Sequence, residues 1–189
     1  MKKFFAMLLA LTLMFSFAAC GGKTVEPTPA PTTAPTTAPT EAAKHVDGTM
    51  EELLNKIIEI QPVEFMGGTM PIDLTDTSED GLWFLSSNTG LANADDITEA
   101  AFFGPMMGSI AYDMAMVRVK EGADVKTVAE SMKTGIDPRK WICVEADDLQ
   151  VVSYGDVVML IMVASDSGMT SQSFVDAFAQ VCGGDVTVY

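Results

Sequence analysis

Leu149-Gln150-Val151-Val152-Ser153-Tyr154-Gly155-Asp156-Val157-Val158-Met159-Leu160-Ile161-Met162-Val163-Ala164 sets two apolar runs on either side of a Gly-Asp dipeptide. The runs are short and rich in β-branched residues, and Gly-Asp supplies turn chemistry, so the stretch predicts a hairpin of strands 149–154 and 157–164. Upstream, residues 110–119 are strand-like. Residues 123–133 are helical, with Ala123, Val125, Val128, Ala129 and Met132 for the buried side and Gly135 closing the element. Residues 141–144 predict a short strand. Downstream, residues 171–181 form a helix with Phe174, Val175, Phe178 and Val181 on one face. Gly183-Gly184 stops it, and residues 185–189 make a last short strand.

Apart from the short strand at 141–144, the order is β-α-β-β-α-β, the pattern of a ferredoxin-like α+β core, with both helices on one face of a four-stranded antiparallel sheet. On the first strand Ala115, Val117 and Val119 alternate with Met114, Met116, Arg118 and Lys120. The first set suits the helix-packed face. The second needs a cover, and residues 49–107 are expected to supply it as an N-terminal helical extension. There Thr49 and Glu52 read as a capping box ahead of Leu53, Leu54, Ile57 and Ile58 at helical spacing. Pro62 and Gly67-Gly68 end that helix, residues 71–81 are acidic and turn-rich, and residues 95–103 predict a short helix before Gly104-Pro105.

The N-terminus carries a different kind of information. Lys2 and Lys3 precede an uncharged run, residues 4–18, that is short of the about 20 apolar residues a spanning helix needs. Small residues then lead to Cys20, as in a secretory signal. Phe17-Ala18-Ala19-Cys20 resembles a lipobox, with Phe17 where Leu is usual. The resemblance implies a signal peptide over residues 1–19 and a diacylglycerol on Cys20, the two-chain anchor that stable membrane attachment requires.

Residues 20–48 then read as a tether. Ala30-Pro31-Thr32-Thr33 recurs as Ala34-Pro35-Thr36-Thr37 and in part as Ala38-Pro39-Thr40, and such proline spacing favours extended polyproline II. His45, the only histidine, reads as a solvated residue at the tether's end. Residues 49–189, about 140 in number, suffice for one domain with its own core.

Formal net charge is −15, and removing residues 1–19, which hold Lys2 and Lys3 and no acid, makes it −17. That balance argues against nucleic acid as a partner, because such binding depends on neutralising phosphates. Cys143 and Cys182 lie at apolar positions where a thiol packs well, and outside the membrane they are also a candidate disulfide. No C-x-x-C is present.

Six of the nine Lys and Arg residues of the mature part fall between Arg118 and Lys140. Arg118, Lys120, Arg139 and Lys140 beside Trp141 are therefore a candidate anion or peptide-carboxylate site. The alternative is ordinary surface pairing with the abundant carboxylates. Asp73, Asp76, Glu79 and Asp80 lack EF-hand spacing and read as a solvated loop. Met114, Met116, Met106 and Met107 could offer thioethers to Cu(I), or simply fill the core. No nucleophile, zinc or phosphate-loop motif is present, and no cofactor or metal is expected.

Arg118-Val119-Lys120, Gly122-Ala123-Asp124-Val125, the run Ile136-Asp137-Pro138-Arg139-Lys140-Trp141-Ile142-Cys143-Val144, and Gly155-Asp156-Val157-Val158 resemble the small bacterial lipoproteins of the domain of unknown function 4358 family. The similarity spans residues 90–166. It implies the same lipoprotein-plus-tether layout and carries no catalytic residues over. The sequence is thus expected to encode a lipid-anchored protein on the outer side of the cell membrane, binding a protein or small-molecule partner without catalysis. An envelope hydrolase using carboxylates and an accessory subunit of an envelope complex are the alternatives.

Overall fold

The computed structural model describes residues 44–189. The signal segment, Cys20 and the Pro/Thr repeats lie outside the described residues. No helix among the described residues is long and apolar enough to cross a membrane.

The architecture is α+β: one six-stranded antiparallel sheet and four α-helices. The helices are α1 (Met50–Ile60), α2 (Glu79–Thr89), α3 (Val125–Gly135) and α4 (Ser171–Cys182). The strands are β1 (Gly67–Pro71), β2 (Ile97–Pro105), β3 (Tyr112–Val119), β4 (Asp148–Tyr154), β5 (Val157–Val163) and β6 (Thr187–Val188). Their order across the sheet is β1-β2-β3-β5-β4-β6.

The hairpin read from residues 149–164 is β4–β5, with Tyr154 opposite Val157 and Gly155-Asp156 between them. The capping box of α1 is formed as expected: the Glu52 amide donates to Thr49 Oγ1 at 3.2 Å, and the Thr49 amide to Glu52 Oε2 at 3.0 Å. Met50, Leu53, Leu54 and Ile57 bury one stripe of that helix.

The ferredoxin-like strand order is not what forms. In that pattern the last strand would pair with β3; here β2 occupies that place, and β6 pairs with β4 at the opposite edge. The handedness of crossovers then sets the layers. The β3-α3-β4 and β5-α4-β6 connections move across the sheet in the same direction, but β5 runs opposite to β3. Two right-handed crossovers of that kind must place their helices on opposite faces. Accordingly α3, with α2, packs on Ala115, Val117, Val158 and Leu160, whereas α4, with α1, packs on Met114, Met116, Met159 and Ile161. The methionine face of β3 is therefore covered from the N-terminal side as expected, and also by α4.

Residues 95–103 are not a helix but most of β2. Ala100 and Phe102 pack on the α2/α3 side while Ala101 and Phe103 pack on the other. A strand buried on both faces shows no polar alternation, so its apolar run carries no period to separate it from a helix. Residues 141–144 form a bend rather than a strand, with Cys143 at φ 66°. The α2 helix, unread in the sequence, ends in polar residues that bond back to their own helix: Asn88 Nδ2 donates to Phe84 O and Thr89 Oγ1 to Leu85 O, both at 2.8 Å.

The ends of α2 and α3 touch backbone to backbone. Gly90 sits at φ 78°, and a Cβ on it would stand 2.3 Å from Met132 O. A Cβ on Gly135 would stand 2.0 Å from Gly90 O, so both positions exclude a side chain.

Candidate functional site

The β3 strand runs out at Val119, and the chain turns through Gly122 at φ 86° into α3. Asp124 caps that helix, its carboxylate accepting from the Lys126 amide at 3.0 Å and from Thr127 Oγ1 at 2.9 Å. The β4–β5 turn reaches the same end of the sheet. There the Val119 amide donates to Asp156 O at 2.8 Å, and the Asp156 amide donates to Lys44 O at 2.9 Å. Gly155 is at φ 57°, and a Cβ on it would lie 2.0 Å from Lys44 O. The turn therefore needs glycine for conformation and for the close approach of residues 44–46.

Those elements and the C-terminal strand enclose a groove of about 800 Å³. Val119, Ala123 and Val125 supply apolar lining. Lys44, Lys120 and Lys126 bring ammonium groups, and Glu121, Asp124 and Asp185 bring carboxylates. Tyr154 OH accepts from Lys44 Nζ at 2.9 Å, and that bond holds the lysine's pKa above its usual value. Tyr189 OH shares a hydrogen bond with Ser153 Oγ at 2.8 Å. Lys120 has no side-chain hydrogen bond or ion pair among the described residues, whereas Lys126 pairs with Glu130 at 3.6 Å.

Asp156 is the hub beneath this groove. Its Oδ1 accepts from the Val46 amide at 2.9 Å, and its Oδ2 from Arg118 Nη1 at 2.8 Å and from His45 Nδ1 at 2.7 Å. Burial pushes its pKa up, but the Val46 amide, Arg118 and His45 outweigh that and hold it below the usual carboxylate value. Arg118 also reaches Val46 O, Gly48 O and Glu99. Val46 is buried. Residues 44–48, read from sequence as tether, are thus strapped to the domain, and His45 is not merely solvated. Among the described residues His45 makes its hydrogen bonds through Nδ1.

The four basic residues Arg118, Lys120, Arg139 and Lys140 do not converge beside Trp141. Arg118 and Lys120 lie at the groove end of β3. Lys140 lies at the other end, five residues of strand or about 16 Å away, where it pairs with Asp113. Its ammonium also donates to Ser87 O at 2.7 Å and reaches Asn88 Oδ1 at 3.4 Å. Arg139 pairs with Glu145 at 2.7 Å on the exposed loop. Half-buried Trp141 stands with its ring centroid 5.3 Å from Lys140 Nζ. Pairing with carboxylates accounts for Arg118, Arg139 and Lys140, and Lys120 alone of the five lines the groove.

Asp113 was missed in the sequence, although an acid between Tyr112 and Met114 in an apolar strand demands a partner. It is fully buried. Lys140 bonds Oδ2, while Oδ1 has no hydrogen-bond partner. Burial pushes its carboxyl up to about 6, against the attraction of Lys140.

Cys143 and Cys182 are both free, correcting the candidate disulfide. Trp141 and Val144, flanking Cys143, pack on the α2/α3 side of the sheet, whereas Cys182 packs with the α1/α4 layer. The sheet stands between the two layers. Burial pushes the Cys182 thiol up to about 12.

Met114 and Met116 are fully buried, while Met106 and Met107 are exposed, so the four thioethers do not assemble. No group of three or more His, Cys, Asp or Glu among the described residues could hold a metal ion. No family model matches the chain, and no curated protein or solved structure is significantly similar to it.

Proposed function

We propose that the chain is an extracytoplasmic bacterial lipoprotein: residues 1–19 direct export, Cys20 carries the lipid, and residues 21–43 hold a non-catalytic binding domain clear of the bilayer. The chain's own residues support this layout: Lys2 and Lys3, the uncharged run of residues 4–18, and Phe17-Ala18-Ala19-Cys20. The groove between the β3–α3 connection, the β4–β5 turn and the C-terminal strand carries the binding assignment. It combines apolar lining, two phenols and a Lys120 ammonium unpaired among the described residues, with Glu121, Asp124 and Asp185 also in the lining. A small organic acid or peptide carboxylate fits that set, since an ammonium beside hydrogen-bond donors favours an anionic oxygen.

A screen of organic acids and short peptides, read by backbone amide NMR shifts, tests the assignment. Shifts confined to Lys120, Lys126, Tyr154 and Tyr189, and lost in Lys120→Ala, support it. Shifts elsewhere, or none across the screen, count against the groove.

A further inference from the structure

A second surface stands on the β1–β2 edge of the sheet, and the groove plays no part in it. The pairing of Gly67 with Pro105 places Met66 opposite Met106, whose amide donates to Met66 O at 2.9 Å. Gly68 faces Gly104, and Met70 faces Phe102. Side chains two residues apart share a face of a strand. Met66, Met106, Met70 and Phe102 therefore surround a floor of two glycines, and the space where a Gly68 Cβ would point is empty to 4 Å.

This shelf adjoins α2. Phe102 packs edge-on against Phe84, with ring centroids 5.5 Å apart, and the neighbouring Trp83 is 67% exposed. Met66 and Met106 are 76% and 74% exposed, and Met107 and Met70 are also exposed. Scattered exposed apolar residues are ordinary, but a cluster set by strand register is the kind of patch that marks an interaction site.

The stretch of chain that builds it carries charge of one sign. Residues 57–117 contain ten Asp and Glu and no Lys, Arg or His, and of the ten Glu99 and Asp113 pair with Arg118 and Lys140. Asp73, Asp76 and Asp80 line a hollow of about 450 Å³ with Pro71, Trp83 and Phe84. Hydrogen bonds from Thr75 and Ser78 keep the first two carboxyls below their usual pKa, so the rim is anionic at neutral pH.

We propose that this methionine shelf and its acidic rim dock a cationic amphipathic helix of a partner protein. Methionine side chains are unbranched and adapt to varied apolar anchors, so they suit the apolar stripe of such a helix. The carboxylates suit its Lys or Arg face and repel an acidic one. A second copy of this chain is disfavoured by the same argument, because a two-fold pairing would set acidic rim against acidic rim.

Titration of the full chain with a synthetic Leu/Lys amphipathic helical peptide, read by tryptophan fluorescence, tests the proposal. The expected result is a blue shift that disappears in Trp83→Phe and weakens with salt. Affinity should fall about tenfold or more in Met66→Ser/Met106→Ser and in Asp73→Asn/Asp80→Asn, all exposed positions. Equal binding of a scrambled Leu/Lys peptide or of a Leu/Glu helix would overturn it, as would unchanged affinity in the methionine variant. Self-association of the chain that is lost in Met66→Ser/Met106→Ser would identify a second copy as the occupant and overturn it too.

Discussion

Arg118 at the end of β3 and Asp156 in the β4–β5 turn form an ion pair at 2.8 Å, and together they hold residues 45–48 against the sheet. Both side chains are largely buried. Removing one member of such a pair leaves the other's charge uncompensated, a cost of about 3 kcal/mol. Arg118→Met should therefore lower stability by that order in urea unfolding. It should also expose residues 44–48 to proteolysis before the domain unfolds. Arg118→Lys should restore little, because a single ammonium cannot reach two carbonyls and two carboxylates as the guanidinium fork does. Protection of residues 44–48 in Arg118→Met would show that the strap is held by something else.

At the other end of β3, Asp113 is expected to impose a pH dependence whose sign follows from its raised pKa. Its folded-state pKa of about 6 lies above the ordinary 3.8, so the folded protein binds this proton more tightly than the unfolded chain does. Asp113's contribution is complete below pH 3.8 and is lost as pH rises through about 6. The loss amounts to about 3 kcal/mol. Asp113→Asn removes the titrating group. The stability difference between wild type and Asp113→Asn should accordingly shift against wild type between pH 4 and 7, then level off. A difference constant across that range would mean that Lys140 keeps the carboxylate at its ordinary pKa.

The two described cysteines should react at very different rates. Cys143 is exposed, whereas burial protects Cys182 and raises its thiol to about 12. Brief treatment of the folded protein with iodoacetamide at pH 8 should alkylate Cys143 and leave Cys182 free until denaturant is added. Peptide mass spectrometry locates the label. Equal modification before unfolding would place Cys182 nearer the surface than its packing with the α1/α4 layer indicates.

Local chemistry was legible in the sequence where it acts locally. The Gly155-Asp156 turn and the Thr49/Glu52 capping box involve partners within a few residues, and both formed as read. The double-sided burial of Ala100–Phe103 erased the period that would have marked β2. The face taken by α4 depends on β6 pairing with β4, a choice among edges that no single segment encodes. The basic cluster failed for a related reason: Lys140 is claimed by Asp113, and Arg118 by Asp156 and Glu99, partners distant in sequence. Of the five, only Lys120 lines the groove, and it alone of the four cations has no carboxylate partner among the described residues. The Met66–Met106 pair likewise exists only through strand register.

The proposed anchoring of the domain to the membrane through Cys20 is tested by the mass of the N-terminal peptide from membrane-extracted protein. The prediction is a mature chain beginning at Cys20 and carrying a diacylglycerol. Labelling by an alkyne palmitate should disappear in Cys20→Ser. A peptide beginning at Met1, or an unmodified Cys20 in the membrane fraction, would rule out a lipid anchor at Cys20.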